Sequence, residues 1–376
     1  MEEEEELNSG LPGVFEREKI SSQPFPRLFE KLLKQLSSLP LAVEEKEKGA
    51  ISILKGISFK KVEKEVSPDL IVSAVDGGHN GKELEGFYFG IATAVAYTGR
   101  VYSIVDPSPL CDGHVFRLLS YRGPTWISLL EQRLVYQIAL SVVEKREPDV
   151  LLLDGNLLIR PPYLSEGSEE GEIDLDRGAN YIDDRNACID ALLYLLDECY
   201  KRGTAVAGVV KRPAAQLIMP SKRDAAILDR LMKVGEMAGP MLPKRLWGAP
   251  RGGVGHPALL HYASRYRKLQ NLSIEDPITE GFIKVAYLKT TPARGPIRLE
   301  IPYWVDPLEV SSVVLETSKA NPVDGIPIHI LKADELAGVG SDLLRIIYGE
   351  MLAKLIKENP ELVGAVRPVR GEEFEL

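Results

Sequence analysis

Cysteine and long apolar runs are scarce in this chain of 376 residues, and each scarcity excludes something. Three cysteines, Cys111, Cys188 and Cys199, are too few and too scattered for a disulfide framework or a tetrahedral zinc site, so they read as thiols. No run approaches transmembrane length, and the opening MEEEEELN is the opposite of a basic signal-peptide start, so a cytoplasmic protein is predicted. Positive charge is also in deficit: 46 Lys and Arg face 55 Asp and Glu, for a net charge of −9. The field of the whole molecule therefore repels nucleic acid, and any strand must be held by local basic patches or bound metal.

What is present is a 44% hydrophobic composition, enough for a sizeable core. Residues 1–65 carry the charge runs EEEEE and EEKEKG around one amphipathic stretch, Phe25 to Leu39, and read as a peripheral arm. Strands are predicted at 70–76 (LIVSAVD), 86–97 and 100–106, the last two joined by a turn at Thr98-Gly99. A helix from Thr125 to Lys145, a strand at 149–154 (DVLLLD), a helix from Asp183 to Tyr200 and a strand at 204–211 (TAVAGVVK) follow. Three strands, helix, strand, helix, strand is the ribonuclease-H-like order, and the two helix-linked strands should be parallel. Residues 159–184 read as an acidic insertion loop, Asp224 to Met237 as a helix, and 243–257 as a basic Gly- and Pro-rich loop. Strands at 282–290 and 296–304 and helices near 307–319, 330–336 and 341–359 complete the chain. The predicted fold is α/β, a mixed five-stranded sheet with flanking helices, in a domain over 66–358 followed by a tail at 359–376.

Four carboxylates stand out. Asp76 and Asp154 each end an apolar strand, where an ionised group needs a compensating charge at the strand's end. Hydrolysis of a phosphodiester calls for an activated water and charge relief, which two cations about 4 Å apart supply together, and Mg²⁺ or Mn²⁺ favours oxygen ligands. Asp76 is the candidate bridging ligand, and the glycines after it permit a tight turn or a close substrate. Glu131 borders the apolar stripe Ile127, Leu130, Leu134, Ile138 and is a ligand candidate or a solvated flank. Asp334, in HILKADELAG, is a ligand or the first-turn acid of a helix. Lys211 ends its strand as VVKRP and is a phosphate contact or a surface lysine. His329 is a proton-transfer candidate or a structural histidine. In RLEIPYW, Glu300 points toward a site or toward water.

The segments VDGG (75–78), LLLDG (151–155), VVKR (209–212), RLEIP (298–302) and GIPIHILKADELA (325–337) resemble, in this order, the NurA nucleases of archaea. The resemblance covers about residues 70 to 358. It implies a ribonuclease-H-like fold, manganese-dependent single-strand endonuclease and 5′-to-3′ exonuclease activity, a homodimer, and a complex with the hexameric HerA helicase in DNA end resection. Carried over, the metal ligands fall on Asp76, Glu131 and Asp154, and Asp334 stands where many relatives show histidine. The amphipathic arm offers an apolar face for the dimer or the ring. Two other readings stand beside it: a non-catalytic homologue that docks on a motor or DNA, and an actin-like or sugar-kinase ATPase, whose second phosphate loop and duplicated domain this chain lacks.

Overall fold

The computed structural model describes residues 29–30, 33–34, 57–103, 105–164, 172–213, 223–242 and 256–369. The predicted basic loop, apart from its last two residues, and nearly all of the amphipathic arm lie outside them. Five strands form a nucleus in the expected order, although the third is not the segment predicted: β2 (Ile71–Glu83), β3 (Tyr88–Arg100) and β4 (Leu110–Leu119), then β5 (Val150–Asp154) and β7 (Ala205–Val210). They lie side by side as β7-β5-β2-β3-β4, with β2, β5 and β7 mutually parallel and the rest antiparallel. The sheet does not stop at five. The two-residue β6 (Ile173–Asp174) pairs with β4, while β10 (Ile297–Pro302), β9 (Ile283–Leu288), β8 (Glu236–Met241) and β1 (Phe59–Lys61) continue beyond β7, giving ten strands. Strand β1 comes from the segment read as arm.

Three boundaries differ from expectation. Beyond Arg100, which ends β3, the described residues of 100–106 form no strand; the meander's third strand is LCDGHVFRLL, whose exposed first half lacks the apolar alternation that marks strands. Strand β2 runs seven residues past Asp76, because VDGGHNGKE stays paired with β3 from Asp76↔Val95 to Glu83↔Tyr88. Only a short helix, α3 (Asp224–Leu228), stands where Asp224 to Met237 reads as helical; Gly235 turns at φ 82° and the chain enters β8.

Helices cover both faces. On one, α1 (Gly123–Arg146) lies against β2 and β3 with α2 (Tyr181–Arg202) beside it. The stripe Ile127, Leu130, Leu134 and Ile138 is buried, worth roughly 1.5–3 kcal/mol per side chain. Helix α2 starts on a capping box between Asn180 and Asp183 and ends at Gly203, φ 72°, whose N–H donates to the last-turn carbonyls. On the other face, α5 (Pro307–Ser318) and α6 (Ile328–Ala337) bury Val310, Val313, Val314 and Ile330 against Val72, Ala74, Leu152 and Leu299. The short α4 (Pro257–Tyr266) packs on α2, and α7 (Ser341–Glu358) packs Leu344 and Ile347 near Phe89. Among the described residues no helix is long and apolar enough to cross a membrane.

Candidate active site

Register places the acids. Val75 of β2 sits opposite Leu153 of β5, so Asp76 and Asp154 leave the parallel pair side by side. Strand β5 ends at Asp154 while β2 continues, which makes Asp76 a mid-strand residue whose parallel neighbour has stopped. Asp154 pairs in turn with Val209, two residues before Lys211. The third acid arrives from above: α6 ends over Gly78, where a Cβ would stand 2.1 Å from the Ala337 carbonyl oxygen. Thr93 Oγ1 donates to that oxygen at 2.6 Å. Asp334, one turn earlier, is thereby held at the strand ends. The glycine pair thus lies inside β2 rather than in a turn; it admits a helix end on one face and Glu131 on the other, since a Cβ on Gly77 would lie 2.7 Å from Glu131.

Carboxylate oxygens of Asp76, Asp154 and Asp334 lie within 4.8 Å of one another. Lys211 Nζ ion-pairs with Asp154, lies 3.2 Å from Asp334 and 3.9 Å from Asp76, and is buried more deeply than a surface lysine. Burial, then the Asp154 charge, pushes the Asp76 carboxyl up to about 10, although its Oδ1 accepts the Gly77 N–H at 2.7 Å. Burial likewise raises Asp154. Burial lowers the Lys211 ammonium, but the Asp154, Asp76 and Asp334 charges more than offset this and its net shift is upward. Crowded oxygen donors with one ammonium among them fit a hard divalent cation, which would replace the shared proton and relieve the repulsion.

Asp334 is in the last turn of α6, not the first, so the helix dipole opposes its charge and a capping role is excluded. Glu131 is not brought into the group. It faces the opposite side of β2 and bonds His79 Nδ1, a residue that sequence reasoning missed although it lies three positions past Asp76 on the same strand. His329 is not brought there either. It is fully buried, its Nε2 lies 3.1 Å from the Arg100 carbonyl oxygen, and burial pulls it down to about 4, which leaves it a neutral structural residue. Glu300 reaches neither site nor water: it pairs with Arg298 at 2.6 Å and accepts the Leu158 N–H at 2.7 Å. Arg298 also donates to Asn156 at 2.7 Å, so this buried pair fixes the loop that leaves Asp154.

Carboxylates gathered at the carboxyl ends of parallel strands in a ribonuclease-H-like sheet define the class of acidic, oxygen-donor metal sites. The NurA domain model matches residues 70–339, and the chain belongs to the NurA family. The fold is similar to the NurA nuclease from Sulfolobus solfataricus, at TM-score 0.61 and 14% identity over 88% of this chain and 98% of that one. A NurA structure with manganese aligns at TM-score 0.52 and 13% identity, covering 90% of this chain and 99% of that one. A NurA bound to dAMP and manganese aligns at TM-score 0.50 and 15% identity, covering 84% and 93%. No curated protein sequence matches this chain.

Proposed function

We propose that this protein is a divalent-metal-dependent nuclease acting on DNA, with Asp76, Asp154 and Asp334 holding manganese or magnesium. The carrying observation is the convergence of three carboxylates within 4.8 Å around Lys211. Membership of a family whose Sulfolobus member is a nuclease, and relatives seen with manganese and dAMP, support it. Bound there, the ions supply charge relief on the phosphoryl oxygens and a water of lowered pKa. The chain's residues do the rest. Asp76, wedged between Asp154 and Asp334, would be the carboxylate placed to serve both ions. Lys211, which pairs with all three acids, would be free to turn its ammonium toward the scissile phosphate and stabilise developing charge once a cation neutralised them. Glu131, oriented by His79, flanks the site across β2 as the fourth acid.

The finer reading is single-strand endonuclease and 5′-to-3′ exonuclease action in end resection, by a homodimer partnered with a HerA-type helicase. A net charge of −9 supports the partner: a poor intrinsic DNA binder needs its strand delivered. The test is cleavage of labelled single-stranded and duplex DNA with manganese, magnesium or chelator, without nucleotide. Metal-dependent cutting that Asp76→Asn abolishes is expected; ATP consumption without cutting would favour the kinase-like reading, and neither activity the docking one.

A further inference from the structure

The cleft above the aspartates has a second, oppositely charged side. It encloses about 820 Å³ and is lined by Arg160, Arg212, Arg223 and Arg294 as well as the acids. Ion pairing sorts these cations. Arg294 is held by Asp324, and Asp229, another acid of the wall, is held by Lys289. The floor carboxylates share Lys211. Arg160, Arg212 and Arg223 have no carboxylate partner among the described residues. In a chain where acids outnumber bases 55 to 46, three segments thus bring to one concavity guanidinium groups that no described carboxylate compensates. Arg212 directly follows Lys211, Arg160 follows the loop from Asp154, and Arg223 precedes α3.

A guanidinium fork matches two phosphate oxygens at once. The rest of the wall includes Pro213, Pro296, Ile326 and Leu331, and none of its described lining residues is aromatic, so they offer bases apolar contact rather than a stacking platform. The volume falls within the range of about 300–1,000 Å³ typical of small-ligand sites, room for a few nucleotides of one strand rather than a duplex. We propose that Arg160, Arg212 and Arg223 form a phosphate rail that grips the backbone of a single nucleic-acid strand beside the acidic floor, without reading its sequence. This rests on the nuclease reading for its substrate class.

The test is fluorescence anisotropy of labelled oligothymidylate and oligodeoxyadenylate in chelator, in an Asp76→Asn background, across a salt series. Replacing the three arginines by glutamine should lower the slope of log K against log salt by about 0.7 per arginine, and replacement by lysine should keep it. Both oligonucleotides should respond alike. An unchanged slope and affinity in the triple glutamine variant would overturn the rail, as would polyglutamate competing as well as oligonucleotide per unit charge. The two proposals fail separately. If wild-type protein cuts DNA but the triple variant binds it as tightly as its background, the rail falls and the nuclease stands. If binding needs the arginines but no metal elicits cutting, the rail stands and the nuclease falls. A manganese-induced rise in Tm, kept when the arginines alone are replaced, shows that the acidic floor is intact.

Discussion

Replacing Asp76 by asparagine should stabilise the metal-free protein while abolishing its response to manganese. Burial and the neighbouring Asp154 raise the Asp76 carboxyl from 3.8 to about 10. Below pH 3.8 both folded and unfolded chains carry this proton, and folding incurs no penalty. Between 3.8 and 10 the folded state holds a proton that the unfolded state has released, so stability falls as pH rises, by up to about 1.4 kcal/mol per unit. At pH 7 that is an upper bound of about 4 kcal/mol, lessened by water and by Lys211. Asparagine is neutral throughout and keeps the acceptor for the Gly77 N–H. Melting in chelator from pH 5.5 to 8.5 should therefore show Asp76→Asn above the parent, by roughly 2–8 °C at neutral pH, with the gap widening as pH rises. Manganese should raise the parent's Tm, more so at high pH because binding expels the proton, and leave the variant's unchanged. A variant less stable than its parent at pH 8 in chelator, or a gap that ignores pH, would refute the reasoning.

Other outcomes follow from the same geometry. Asp334→Ala should raise the manganese concentration needed for cleavage while leaving stability unchanged or up to about 1 kcal/mol better, since a last-turn acid opposes the helix dipole; a marked fall in Tm would contradict this. Gly78→Ala should drive α6 from the sheet, costing roughly 1–3 kcal/mol by urea denaturation and weakening manganese affinity by titration calorimetry. Arg298→Met should leave Glu300 buried without its cation and cost about 3–5 kcal/mol, measured by thermal denaturation. His79→Ala should free Glu131 and lower kcat more than it raises KM, whereas an unchanged kcat would make the contact merely structural.

The sequence alone determined four of the five nucleus strands, all but β4, together with the α1 stripe and the candidacy of Asp76, Asp154, Asp334 and Lys211. Runs such as VLLLD and spacings such as Ile127 to Ile138 are local signals, and an acid after an apolar run shows itself without a partner in view. Tertiary structure decided which candidates meet. The pairing of Val75 with Leu153 sets two aspartates level, and no local pattern encodes a parallel register between residues 78 apart. Asp334 joins them because α6 lands on Gly78. His329, five residues earlier on that helix, turns into the core instead, since helical rotation over so few residues separates the two faces. Glu131 stays across the strand because alternation along β2 puts Gly77 and His79 on the face opposite Asp76. The added strands β9 and β10, and Glu300 within them, were legible as strands but not as neighbours of β7, and β8 was not legible at all, because joining one sheet is a matter of unsatisfied edge hydrogen bonds that only the assembled fold presents.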